Sequence, residues 1–411
     1  MFLTYKYRIK SNQGLRALRR HVFAINQVWN YLVSTQRKIQ QDWKFGLARN
    51  WPSQYDFQKL TGNTSKDLGV HGQSIYGTCE QFVKSRDQHK KNPRFRRSSS
   101  PKKSLGWIPF LKQSRQITGN SITYLGRTYK VFGTKRRPIP EGAKGGCFVE
   151  DSRGRWYVCF QVEVEKDQEH GQGKVGIDLG LKTLATLSNG QKIENPRSYR
   201  KLEEKLGIAQ RANNKKRVKV LHDKIKNVRK DYLHKESNKL IKNNCLIVVG
   251  NVSASQLAKT KMAKSVLDAG WTTFRSMLNY KASRHSASYL EVDERFTTQT
   301  CSACGLRPES RPKGIAGLGI REWVCSDCGV VHDRDINAAQ NILKLGRSVA
   351  PLAEERPFRS AGVETRHIHL IYLALLALAV VPALVAPPVL GASLVPQEYL
   401  VRLVLVAHMD G

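Results

Sequence analysis

Two cysteine pairs constrain this 411-residue chain more than any other feature. The stretches "TTQTCSACG" and "WVCSDCGVV" supply Cys301 and Cys304, then, after twenty residues, Cys325 and Cys328. Two Cys-x-x-Cys knuckles at that separation deliver four thiolates to one point, which suits a single tetrahedral, closed, structural Zn²⁺. Gly305 and Gly329 follow the second cysteine of each pair, where the chain must turn tightly. With four ligand positions filled, a catalytic zinc is not expected and nearby His332 is read as a non-ligand. The remaining cysteines, Cys79, Cys147, Cys159 and Cys245, are scattered and make no secreted disulfide framework. They are expected to be free thiols in a reducing compartment, mostly buried.

Charge narrows the partner. The chain carries 69 Lys and Arg against 33 Asp and Glu, a formal net charge of +36. A solvated surface does not need that excess, whereas a chain that tracks a polyanion does, because each neutralised phosphate releases counterions. At 40% hydrophobic residues the chain can still build cores, and its length suits two to four domains. The N-terminus "MFLTYKYRIK" alternates like a strand and has no signal-peptide apolar region.

Hydrophobic periodicity divides the chain. Residues 14–90 are helical in pattern, with Leu18, Val22, Ile25, Val28 and Leu32 on one face. The segment "KKNPRFRRSSSPKKSLGW" is a basic loop, with Arg94, Arg96 and Arg97 as candidate phosphate contacts. Short alternating runs between residues 108 and 165 predict a small β-barrel or sandwich, and the first strand is expected to return and pair with it. From Lys174 the pattern becomes α/β: strands near 175, 183, 246 and 289, with helices between them. Residues 198–244 read as a hairpin of two long basic helices, with Lys215, Lys216 and Arg217 as further nucleic-acid candidates. The strand–turn–strand after Asp178 implies a mixed sheet with an antiparallel hairpin, the order of an RNase H-like fold.

Three acids matter. In "KVGIDLGLKTLATLSNG" a buried strand delivers Asp178 into a glycine turn. In "HDRDINAAQNIL" Asp333 and Asp335 open a helix, where free amides and the helix dipole favour carboxylates. Asp333 is assigned to capping. Asp268 is read as a local structural acid. A nuclease that holds two Mg²⁺ ions needs three or four convergent carboxylates.

The motifs "GIDLGLKTLATLSNG", "DYLHKESNKL", "LAKTKMAKSVLDAGW", "TTQTCSACG" and "WVCSDCGVVHDRDINAAQNIL" together resemble the TnpB family, transposon-encoded RNA-guided nucleases related to type V CRISPR effectors. The resemblance covers most of residues 1–350 and is dense from 174 to 345. It implies an α/β multidomain chain: a wedge β-barrel (1–10 and 106–170), an inserted helical recognition lobe (11–105), a split RuvC-like nuclease domain (171–298 and 331–350) and an inserted zinc ribbon (299–330). It implies a guide RNA from the transposon end, a double-stranded DNA target beside a short adjacent motif, and Mg²⁺-dependent cleavage in a prokaryotic cytoplasm, at the nucleoid. The family's first and last RuvC aspartates map onto Asp178 and Asp335.

The chain departs from that pattern at one place. Most of the family carries a glutamate directly after the middle apolar strand, where this chain has Gly250-Asn251 in "CLIVVGNVS". Two readings follow. The nuclease is inactive and the protein is an RNA-guided DNA-binding repressor, or the acid has moved to Glu294 in "YLEVDERF". By strand alternation Leu290, Val292 and Glu294 share the apolar face, and a carboxylate there is costly unless something binds it. Against this stands a surface Glu294 paired with Arg295 or Arg334. Asn251 is a candidate donor to a bound carboxylate. A third function, a zinc-ribbon nucleic-acid-binding accessory protein of a transposon, needs no catalysis.

The resemblance ends near residue 350. Residues 351–411 form a non-family tail with an uncharged apolar stretch at 370–396, long enough to span a bilayer but broken by Pro382, Pro387 and Pro388. No membrane partner is expected.

Overall fold

The computed structural model describes residues 1–10, 14–47, 50–99, 103–135, 137–166, 170–313 and 316–354. The apolar stretch 370–396 lies outside them. Among the described residues no helix is long and apolar enough to cross a membrane.

The N-terminal part opens with strand β1 (Phe2–Arg8), followed by four helices: α1 (Leu15–Lys44), α2 (Gln54–Leu60), α3 (Thr64–Asp67) and α4 (Gly72–His89). Strands β2 (Trp107–Leu111), β3 (Arg115–Thr118), β4 (Ser121–Tyr124), β5 (Arg127–Lys130), β6 (Gly145–Glu150) and β7 (Trp156–Glu163) come next. The first strand does return: β1 pairs antiparallel with β7, from Phe2 opposite Glu163 to Arg8 opposite Tyr157. Two sheets result, ordered β1-β7-β6-β2 and β3-β4-β5, joined by a bridge between Ile9 and Val131. Their shared core holds Phe110, Tyr124, Tyr129, Phe148 and Phe160. Helix α1 closes that core with Leu18, Val22 and Ile25, and turns Val28 and Leu32 toward α4; all five residues of the predicted face are buried.

The C-terminal part is a five-stranded sheet with helices on both faces. Its strands are β8 (Gly173–Leu179), β9 (Thr183–Leu187), β10 (Lys192–Glu194), β11 (Asn244–Gly250) and β12 (Ser288–Val292). The order is β10-β9-β8-β11-β12, antiparallel across the first three strands and parallel across β8, β11 and β12. The helices are α5 (Glu203–Arg211), α6 (Lys215–Asn243), α7 (Ala254–Leu257), α8 (Ala263–Ala269), α9 (Trp271–Arg284) and α10 (Arg334–Glu354). Between β12 and α10 lies the cysteine module with its two-stranded ribbon, β13 (Glu322–Val324) and β14 (Val331–Asp333).

One face of this sheet packs Ile177, Val249, Leu233, Phe274 and Leu278 into the largest core, where each such side chain contributes about 1.5–3 kcal/mol. The other face carries Leu246, Val248, Leu290 and Val292 against Ile342 and Leu343 of α10. Two glycines let α10 lie close: a Cβ on Gly176 would fall 2.1 Å from the Ala339 carbonyl oxygen, and one on Gly346 would fall 2.3 Å from Val248 Cγ2.

The expected hairpin of two long helices is corrected. α5 spans only nine residues and α6 twenty-nine. The break falls at Asn213, which adopts a left-handed φ of 49°, and Asn214, whose side chain caps α6 at Arg217 N. Asparagine suits both tasks, so the local sequence stops one helix and starts the next.

Candidate active site

The four cysteines of the ribbon come together. Their sulfurs all lie within 4.8 Å of one another, with Cys301 and Cys328 Sγ 3.6 Å apart and Cys304 and Cys325 Sγ 3.8 Å apart. A tetrahedral zinc with Zn–S bonds of about 2.3 Å has S–S edges of about 3.8 Å, so the thiols fit this ion and the cluster is consistent with a zinc site. Gly305 and Gly329 take left-handed φ values of 81° and 74°, as the knuckle turns require. His332 has a use that spacing did not suggest. Its Nε2 lies 3.0 Å from Cys301 Sγ, and its ring packs against Trp323 at 4.8 Å. Burial raises the Cys301 thiol, but the Cys304 amide, His332 and the Ala303 amide outweigh it and hold the thiol at about 6. The sequence signal was the "VVHD" alternation, which turns His332 inward beside Trp323 on a two-stranded ribbon.

The ribbon is bolted to α10. Asn337 Oδ1 accepts from Ser302 N at 2.8 Å, while Asn337 and Asn341 Nδ2 both donate to the Thr297 and Thr300 carbonyls. Both asparagines are buried. They tie the segment after β12 to α10, whose first turn carries Asp335.

That segment carries Glu294 into the space above Gly250. A Cβ on Gly250 would lie 2.8 Å from Glu294 Oε2, 3.2 Å from Glu294 Cβ and 3.2 Å from Ile342 Cδ1. Glu294 sits just past β12, on the α10 side of the sheet with Leu290 and Val292. Asn251 Oδ1 accepts from Glu294 N at 3.5 Å and its backbone amide donates to Val292 O at 2.9 Å, so it holds the backbone that presents the acid. Burial raises the Glu294 carboxyl above its ordinary range; Arg275 offsets part of this and Asp293 adds to it. Of the two arginines that could pair with Glu294 on the surface, Arg295 lies over the Phe296 ring and Arg334 Nη1 donates to Gly317 O.

Asp178 stands near the end of β8, opposite Thr186. Its carboxyl is pushed up to about 8 by burial first, then by the charges of Asp335 and Glu294, with Arg334 acting in the opposite direction. Glu294 and Asp335 are thus each within electrostatic reach of Asp178, although the three come from distant parts of the chain. Asp335 Oδ2 lies 3.5 Å from Arg321 Nη1 of the ribbon, a neighbour that sequence reasoning missed. Asp333 caps α10 as expected: its Oδ1 accepts from the Asp335 and Ile336 amides, and its Oδ2 lies 2.8 Å from Lys192 Nζ. Asp268 is buried and accepts from Tyr199 N at 2.8 Å, in keeping with its reading as a structural acid.

Comparison with known proteins decides the family. A model described as "Cas12f1-like, TNB domain" matches residues 271–342, and one described as "Probable transposase" (OrfB_IS605) matches residues 157–261. A "Putative RNA-guided DNA endonuclease" of Streptomyces pristinaespiralis is 34% identical over 291 residues, covering 66% of this chain and 71% of that protein. The chain belongs to the TnpB family. InsQ of Escherichia coli K12, also named "Putative RNA-guided DNA endonuclease", is 30% identical over 283 residues, 61% of this chain and 62% of InsQ. A structure of a Cas12f1–sgRNA–target DNA complex aligns over 81% of this chain and 83% of its own, with a TM-score of 0.55 at 14% identity, and so shares the mixed α/β fold.

Within this TnpB-family chain the candidate nucleic-acid contacts divide. Arg94, Arg97, Lys215, Lys216 and Arg217 are exposed. Arg96 is not: its Nε donates to Asn26 Oδ1 and its Nη2 to Leu105 O, both at 2.6 Å, between the Trp29 and Trp107 rings. That guanidinium fastens the basic loop onto α1, and its hydrogen bonds are made inside the fold.

Proposed function

We propose that this protein is an RNA-guided DNA endonuclease of a mobile element, with Asp178, Glu294 and Asp335 as the carboxylates of an RNase H-like, RuvC-type site. The observation that carries this reading is the seat of Glu294. Its carboxyl fills the volume over Gly250, the position where the family's glutamate would project. An acid supplied from the neighbouring parallel strand thus reaches the space that an acid on β11 would occupy. The strand order, with β8 central, antiparallel to β9 and parallel to β11, supports the RNase H-like assignment.

The chemistry of the proposed donor set suits Mg²⁺, which takes hard carboxylate oxygens. Burial first, then the charges of Asp335 and Glu294, push the Asp178 carboxyl up to about 8, and a cation held by these acids would relieve both costs. Mg²⁺ bound there supplies a lowered water pKa and neutralises charge on the leaving 3′-oxygen. Asp178 anchors the set from β8, the central strand of the sheet. Asn251 holds the backbone that presents Glu294. The Asn337 and Asn341 clamps keep the Glu294 segment and the start of α10 together. The exposed bases of the 94–97 loop and of α6 face solvent, where guide and target backbones would be neutralised. Base pairing with the guide would then supply sequence selection while the protein reads shape.

The test is cleavage of a matched plasmid library by the protein with its transposon-end RNA in Mg²⁺, beside Glu294→Gln and Asp178→Ala. The expected result is cutting by the native chain and target binding without cutting by both variants. Target binding without cutting by the native chain would establish the repressor reading instead, and absence of a co-purifying guide would establish the accessory-protein reading.

A further inference from the structure

Two of the scattered thiols are not scattered in space. Cys147 of β6 and Cys159 of β7 stand directly opposite each other in an antiparallel pair. Directly opposed residues place their side chains on one face with Cα atoms about 4.5–5.5 Å apart, inside the roughly 4.4–6.8 Å range that a disulfide spans. Both are half-buried, unlike fully buried Cys79, which corrects the expectation that the free thiols are mostly buried. The face they share is the outer one; the core side of the same strands holds Phe148, Val158 and Phe160. Lys6 of β1 lies opposite Cys159 on the other side, its ammonium 4.2 Å from the centre of the Tyr157 ring. The Cys147 side chain first, and Lys6 in the same direction against burial, lower the Cys159 thiol, whereas the Cys159 side chain first and then burial raise Cys147.

We infer that Cys147 and Cys159 are a reversible redox pair that closes to a cross-strand disulfide with a small-molecule disulfide such as oxidised glutathione. The Cys159 thiolate attacks one sulfur of the oxidant, forming a mixed disulfide and releasing one thiol. Cys147, deprotonated in turn, attacks the Cys159 sulfur, forming the internal bond and releasing the second thiol. Two protein thiols are oxidised and one external disulfide is reduced to two thiols. In a reducing compartment the pair rests as the dithiol, and excess reduced glutathione reverses the reaction. The four ribbon cysteines do not compete when they hold zinc, because their sulfurs are committed to the ion.

The experiment uses the full zinc-loaded chain, treated with oxidised glutathione, alkylated and digested with trypsin. Residues 145–153 and 156–166 are separate tryptic peptides, since Lys144, Arg153, Arg155 and Lys166 bound them. The expected product is one linked species joining the two, with loss of two free thiols, no loss of zinc, and disappearance on adding reduced glutathione. Cys147→Ser should convert it to a stable glutathione adduct on Cys159. A linked species joining either cysteine to the ribbon, an adduct on Cys159 that never resolves in the native chain, or no reaction at either thiol would overturn the proposal.

Discussion

The four-cysteine ribbon and the carboxylates proposed for the active site are assembled in opposite ways. The ribbon draws its four ligands from residues 301–328, and its two knuckles are tight local turns. The cluster draws Asp178, Glu294 and Asp335 from a central strand, the end of an edge strand and the start of the last helix. In the ribbon, short-range geometry alone brings the sulfurs together. For the proposed carboxylates, the parallel pairing of β8, β11 and β12 and the docking of α10 must all form before all three acids approach. The ribbon then feeds the cluster, since Ser302, Thr297 and Thr300 are bound to Asn337 and Asn341 of α10.

The largest test of this contrast is removal of a cluster acid. Asp178→Ala or Asp335→Ala should lower plasmid cleavage on the order of 10³-fold, about 4 kcal/mol at the barrier, with zinc content and target binding unchanged. Loss of zinc from either variant would break the separation between the two sites. Next, His332→Ala should weaken zinc retention against a chelator by about 10–100-fold, the usual effect of removing an outer hydrogen bond to a ligand. An unchanged chelation rate would reduce His332 to packing against Trp323.

A smaller effect probes the exchange of acid positions. Glu294→Ala should abolish cutting, and adding Gly250→Glu should restore it to within about tenfold of the native rate, because β11 would again supply the carboxylate. No rescue would mean that the space over Gly250 is not a metal-ligand position. The mildest readout is thermal unfolding without divalent cations. Asp178 has a folded pKa of about 8, above its ordinary value, so the native state holds that proton more tightly. The associated stability is present at acid pH and is lost as pH rises through 8. The melting temperature should fall by about a few degrees between pH 5 and 8.5, less so in Asp178→Asn, and Mg²⁺ should oppose the fall.

Legibility followed range. The five apolar residues on the face of α1 were readable because a helix repeats locally, and Asp333 was readable as a cap because its partners are two and three residues away. Arg96 was read only as a basic residue of a phosphate-type loop, and nothing nearby in sequence reveals that Asn26 and Leu105 accept from its guanidinium. Cys147 and Cys159 looked unrelated because twelve positions and a turn separate them, although strand register sets them opposite each other.

By itself, the sequence determined the four-cysteine cluster, the large positive charge and most of the strand and helix order, and it named two of the three acids proposed for the site. These rest on spacing, composition and periodicity, which are properties of short windows. Tertiary structure alone decided where the third acid reaches. Glu294 and Gly250 are neighbours only because β12 pairs in parallel with β11, which sets Val292 opposite Gly250. The missing side chain on one strand leaves the volume that a longer side chain from the next can enter.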